Sequence, residues 1–160
     1  MRIIIKLLFI LLVFNVNAQM TDKSGNVKYG NEWINYSQEY FKFNINEDGI
    51  YRITYQDMVN AGINASSISG RRFQLFVYGE EVPLYVSTNS SFGSNDYIEF
   101  YGERNKSQID SFLYLNKNDI LNPEYSMFTD DASYYLTWNN SLHKRYNNLT
   151  NDLNGNLPPA

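Results

Sequence analysis

Along the chain, apolar and polar positions alternate with the two-residue period of half-buried strands in several short stretches. In Tyr40-Phe41-Lys42-Phe43-Asn44-Ile45 the period sets Phe41, Phe43 and Ile45 on one face and Lys42 and Asn44 on the other. Glu47-Asp48-Gly49 interrupts it with turn chemistry, and Ile50-Tyr51-Arg52-Ile53-Thr54 resumes it. The pair reads as a β-hairpin whose Asp-Gly supplies the positive-φ residue of a tight reversal. A second hairpin is predicted from Phe73–Tyr78 and Glu81–Val86 around a Gly79-Glu80 turn. Pro83 cannot donate to a ladder, so its second arm is expected at a sheet edge or at a bulge. Asp96–Gly102 alternates cleanly, with Ile98 and Phe100 facing one way, and Ser133–Trp138 predicts a strong last strand. Phe112–Leu115 reads as a weaker strand.

Only one stretch has helix signals. Thr54-Tyr55-Gln56-Asp57 has the spacing of a capping box, and Gly62 sits where a helix would stop, so about two turns are expected. Ser66–Gly70 and Thr88–Asn95 read as loops, and Asn116–Asp131, punctuated by Pro123, as irregular chain. Short strands at 8–20-residue spacing with one small helix argue for an antiparallel β-sandwich or open barrel.

The N-terminus has a different pattern. Arg2 precedes an apolar run from Ile3 to Val16, broken only by Lys6 and Asn15, and Val16-Asn17-Ala18 leads to a cut between Ala18 and Gln19. That is the layout of a secretory signal peptide, with an apolar stretch too short to span a bilayer with margin. The organisation expected is residues 1–18 signal peptide, 19–30 flexible leader, 31–139 β-sandwich and 140–160 polar linker. An exported chain without cysteine points to a bacterial periplasm, outer membrane or cell surface, since small eukaryotic secreted domains usually carry disulfides. The membrane is then met only through export, and the missing cysteine leaves nothing for a lipoprotein anchor.

Composition narrows the chemistry further. Zero Cys and one His among 160 residues exclude a thiolate zinc site, a cysteine nucleophile and a multi-histidine metal centre within this chain. Without the signal segment, 11 basic and 17 acidic residues remain, a charge of −6 that offers nucleic acid no general footprint. No phosphate loop, Gly-x-Ser-x-Gly elbow or His-Glu-x-x-His helix occurs, so no catalytic, cofactor-binding or metal residue is assigned and no cofactor is expected. Asn44-x-Asn46-x-Asp48-Gly49 resembles half of a calcium loop, but position twelve is Tyr55 rather than a bidentate Glu, and a turn explains it better. His143-Lys144-Arg145 and Arg71-Arg72, the densest basic runs, read as solvated surface. Glu80-Glu81 and Asp130-Asp131 read as solvent-facing acids.

Fourteen Tyr, ten Phe and two Trp demand a role. Strand propensity and core filling explain most of them. Outward tyrosines would suit an interface with another domain or, in a free-standing cell-surface binding module, a stacking platform for glycans.

The order of segments carries a resemblance. Tyr29-Gly30-Asn31-Glu32-Trp33-Ile34 and Tyr40-Phe41-Lys42-Phe43 lead to Glu47–Tyr55 and Ala61-Gly62-Ile63. Phe76–Val86, Asp96–Glu103 and Tyr125–Trp138 follow. Over Tyr29–Asn139 the series resembles the N-terminal region of gingipain-family cysteine peptidases, and within them is most similar to the type IX secretion system sortases. The resemblance implies a β-sandwich like the gingipain prodomain, preceding a caspase-like domain with a His–Cys dyad in a longer protein of the cell envelope. It implies as partners that downstream peptidase domain or other type IX secretion components. No catalytic residue carries over, because the chain has no Cys and His143 lies outside the matched segments. The expectation is a fragment: a non-catalytic N-terminal domain, inactive by itself, whose parent would be a cysteine-type endopeptidase.

Overall fold

The computed structural model describes residues 20–21, 27–28, 30–107, 110, 114–141 and 143–147. The signal segment and its Ala18–Gln19 cut lie outside the described residues. The chain forms two compact units, Met1–Ile34 and Asn35–Ala160. In the first, within the segment expected to be a flexible leader, β1 (Met20–Thr21) pairs antiparallel with β2 (Val27–Lys28). The second unit begins at Asn35, a little beyond the Asn31 boundary read from the sequence.

The second unit is mainly β, with two antiparallel sheets facing each other across one core. β3 (Phe41–Ile45), β9 (Ala132–Trp138), β5 (Phe73–Val77) and β6 (Glu80–Val82) form a four-stranded sheet in that order. β4 (Gly49–Thr54), β8 (Tyr97–Gly102) and β7 (Tyr85–Val86) form a three-stranded one. Helix α1 (Tyr55–Asn60) follows β4 directly, and the sheets do not close into a barrel.

The expected alternation places the core. Ile98 and Phe100 of β8 are buried, as are Ile45, Phe73, Leu75, Tyr134 and Leu136 of the opposite sheet. Aromatic rings join the layers: Phe100 lies 6.0 Å from Phe43 and 5.7 Å from Tyr134 of the opposite sheet, and 5.9 Å from Tyr51 of its own, centroid to centroid. Such pairs are worth about 0.5–1.5 kcal/mol beyond their buried area. The Tyr134 hydroxyl accepts the Glu103 N–H at 2.8 Å and donates to the Glu103 carbonyl at 3.1 Å, which satisfies a polar group deep in the core. Phe92 was hidden in a stretch read as loop, yet it is buried beside Phe73 and Tyr55, and its N–H donates to the Ile68 carbonyl.

The capping box is present: the Thr54 hydroxyl accepts the Asp57 N–H while Asp57 accepts the Thr54 N–H at 2.8 Å. Its two hydrogen bonds to Thr54 hold the Asp57 carboxyl below its ordinary range. Gly62 follows with φ +85°, a left-handed conformation suited to glycine just beyond the helix.

The first predicted hairpin does not form. β3 pairs with β9 and β4 with β8, so Asn46–Asp48 crosses from one sheet to the other, and Gly49 has no positive φ. Splitting the two strands lets their apolar faces oppose each other, so that Phe43 and Tyr51 meet on Phe100. A hairpin would have set them side by side. Asp48 holds the crossing in place: Oδ1 accepts the Arg104 N–H at 2.9 Å and Oδ2 pairs with Lys106 Nζ at 3.2 Å. The calcium-like spacing is therefore spent on protein contacts, with Asn44 Oδ1 accepting the Ser133 hydroxyl.

The second hairpin forms one residue early. Tyr78 (φ 51°) and Gly79 (φ 81°) make the reversal, and Leu75, Phe76 and Val77 pair with Val82, Glu81 and Glu80. Positive φ at both central residues matches the twist of the flanking strands. At Pro83 the second arm leaves its sheet, and Tyr85–Val86 resumes as an edge of the other. Most of the weak Phe112–Leu115 strand lies outside the described residues, and Tyr114 and Leu115 are not in a strand. Asn116–Asp131 is irregular apart from one helical turn, Lys117–Asp119.

Within the segment read as a polar linker, residues near 145 pair with Leu84 through the main chain. The Leu84 N–H donates to the Lys144 carbonyl at 3.2 Å and the Tyr146 N–H to the Leu84 carbonyl at 3.1 Å. Main-chain pairing of this kind leaves no periodic trace in the side chains, so composition alone reads as linker.

Candidate functional site

Two surface features combine unusual chemistry with a fixed frame. The first is the outer face of the three-stranded sheet. The alternation that turns Tyr51 and Ile53 inward leaves Ile50 and Arg52 outward, opposite Tyr101 and Glu99 in register. Ile50 is 79% exposed, and Tyr85, Tyr101 and Tyr146 are each close to half exposed. Tyr146 accepts the Tyr101 N–H at 3.0 Å, which places its ring beyond the end of β7. With Glu99 and Phe100 these residues line a cleft of about 320 Å³. Arg52 gives the face its frame: its guanidinium donates twice to Glu99 Oε1, at 2.9 and 2.7 Å, and lies 4.1 Å from the centre of the Tyr97 ring.

The second feature is a cationic depression of about 430 Å³, at the entrance to β5. It is built from three segments. The helical turn Gly70–Arg72 delivers two arginines just before the buried Phe73. Gly70 is required there, because a Cβ would collide with the Thr88 carbonyl, and its N–H donates to the Ser90 carbonyl at 2.8 Å. Strand β9 then runs out beside that turn, where the Asn139 N–H meets the Arg72 carbonyl at 3.1 Å. The docked segment 143–146 closes the third side.

Arg145 braces this arrangement. Nη2 donates to the carbonyls of Gly70, Arg71 and Phe73 at 3.2, 2.8 and 2.9 Å, and Nη1 to that of Lys144 at 2.8 Å. Arg71 and Arg72 each use Nε on one carbonyl, those of Asn89 and Asn139. Their terminal Nη groups bond to nothing among the described residues. No carboxylate there lies within ion-pair distance of Arg71, Arg72 or Arg145.

His143 completes the wall. Its side chain is only 1% exposed, and neither ring nitrogen has a hydrogen-bond partner. Burial pushes its pKa below the ordinary histidine value and Arg145 adds to that, while Glu81 and the Asn139 main chain pull the other way. Glu81 Oε1, 3.7 Å from His143 Nδ1, accepts the Lys144 N–H at 2.7 Å. The runs His143–Arg145 and Arg71-Arg72, read from the sequence as solvated surface, thus converge on one site. Nothing in their spacing reveals this, because Arg72 and Arg145 come together only through the pairing of Leu84 with the 143–146 segment. Glu81 likewise turns onto that segment, while Glu80 is exposed.

Among the described residues no group of three or more His, Asp and Glu is placed to hold a metal ion, and no helix is long and apolar enough to cross a membrane. No family model matches the sequence, no characterised protein matches it, and no solved structure matches the fold. The gingipain-like reading therefore stands on the sequence segments themselves.

Proposed function

We propose that this β-sandwich is a non-catalytic module of the cell envelope that packs on a gingipain-like cysteine peptidase domain, of the type IX secretion sortase kind, and assists its folding. The observation that carries the proposal is the outward apolar face of Ile50, Tyr85, Tyr101 and Tyr146. A β-branched residue left 79% exposed among tyrosines suits a surface that another domain covers. The Arg52–Glu99 pair beside it supplies a polar rim. The resemblance carried by the order of the segments over Tyr29–Asn139 supports a peptidase domain as the partner.

The test has two parts. Reading the gene beyond codon 160 should reveal an open frame for a domain with His and Cys, and a stop codon there would sink the proposal. In that longer protein, Ile50→Lys with Tyr101→Lys should abolish maturation of the peptidase while leaving the melting temperature of the isolated sandwich unchanged. Normal maturation of the double variant would overturn the docking role. Saturable glycan binding at the same face, with the peptidase indifferent to both substitutions, would point instead to a free-standing binding module.

A further inference from the structure

The cationic depression has no part in that docking role. It gathers three guanidinium groups and an imidazole, and no acid belongs to its lining. A protein of net charge −4 has acids in excess, yet none lines this site, and the nearest, Glu81, spends Oε1 on the Lys144 N–H, 3.7 Å from His143 Nδ1. Elsewhere the same chain neutralises its cations directly, as in Arg52 with Glu99 and Lys106 with Asp48 and Glu103. Arg71 and Arg72 keep their Nη groups uncommitted, and their planar forks match the oxygens of a phosphate. The buried imidazole of His143, whose ring nitrogens make no hydrogen bond although Glu81 stands 3.7 Å away, is a second, independent sign that the wall lacks a ligand, because buried polar groups ordinarily find partners.

We propose that this depression binds a phosphate monoester. Two free guanidinium forks, with Arg145 behind them, suit a dianion better than a single carboxylate, which would leave most of the charge unmatched. Arg145 is already committed to four carbonyls, so it contributes field rather than a direct contact. Arg71 and Arg72 are the binding residues. Asn89 and Asn140 supply amide groups at the rim for the alcohol part of the ester, and about 430 Å³ leaves room for more than the phosphate itself.

The chain's one histidine provides the probe, because an untagged sample has a single set of imidazole NMR signals. Titration of the full chain with glycerol 3-phosphate should move those signals saturably, and chloride at equal ionic strength should not. Arg71→Met with Arg72→Met should weaken binding by about tenfold or more, since charge-assisted hydrogen bonds are lost, with the chain still folded at the temperature of the titration. A parallel titration with phosphatidylcholine vesicles containing phosphatidic acid distinguishes the source of the ester. Saturation by the soluble ester identifies a small molecule, and saturation by the vesicles alone identifies a lipid headgroup. Absence of saturable movement with either probe would overturn the proposal. So would equal movement in the double variant, which would place the anion elsewhere.

Discussion

The molecule holds two groups of cations and treats them in opposite ways. Around the three-stranded sheet and the connection after it, Arg52, Arg104 and Lys106 each have a carboxylate. Arg52 bonds Glu99, Arg104 lies 4.0 Å from Asp130, and Lys106 reaches Glu103, Asp48 and Glu124. Its hydrogen bonds to the carboxylates of Glu103 and Asp48 hold the Lys106 ammonium well above its ordinary pKa. Arg104 also lies 3.9 Å from the centre of the Tyr125 ring. At the entrance to β5, Arg71, Arg72 and Arg145 meet only main-chain carbonyls. Burial lowers the pKa of Arg145, the reverse of what carboxylate partners do for Arg52 and Lys106. The difference separates two uses of positive charge. The first group closes surface contacts whose net value is small in water. The second braces the backbone and leaves charge unmatched.

The sharpest way to break the arginine side is Gly70→Ala. The new methyl would strike the Thr88 carbonyl and displace the turn that carries Arg71 and Arg72. A loss of about 3 kcal/mol or more is expected, because backbone rather than a flexible side chain must move. Chemical denaturation measures it, and a change near zero would show that the turn yields freely.

The two groups should then differ when one arginine is removed from each. Arg145→Met strips donors from the carbonyls of Gly70, Arg71 and Phe73, and a loss of about 2 kcal/mol is expected from hydrogen bonds made by a charged group. Arg52→Met removes an exposed pair and should leave the melting temperature where it was. Equal losses from the two substitutions would erase the distinction.

The smallest expected effect is a pH dependence. His143 is depressed by burial, so above about pH 6.5 it is neutral in both folded and unfolded chains. As pH falls below that value the unfolded chain takes up a proton that the folded one resists, and stability declines through the folded pKa. The slope is at most about 1.4 kcal/mol per pH unit for one proton. His143→Gln should flatten the fall that sets in below about pH 6.5, ahead of the loss that depressed carboxylates such as Asp57 contribute near pH 4 and below. An unchanged slope in the variant would place the titration elsewhere.

The legibility of this chain follows the range of the interactions. The faces of β3 and β8, the capping box at Thr54 and the edge position forced by Pro83 were all readable, since each depends on residues within a few positions of one another. The pairing of β3 and β4 was misread because Asp-Gly between alternating arms is an equally good description of a tight reversal and of a crossing between sheets. The choice depended on β8 and β9, far along the chain. Phe92 and the segment 143–147 were missed for a related reason: one buried ring in a polar loop, or a few main-chain hydrogen bonds, makes no pattern.

The sequence by itself determined that this is a mainly β chain with one short helix, and that it contains no thiol for cysteine chemistry. Those properties belong to composition and to local periodicity, which survive any rearrangement of partners. Only the tertiary structure decided which strands share a sheet, that Ile50 would face outward, and that Arg71, Arg72, His143 and Arg145 would surround one depression. The physical reason is that core faces must oppose each other to bury their rings. The pairing that achieves this brings together residues that the linear order keeps far apart.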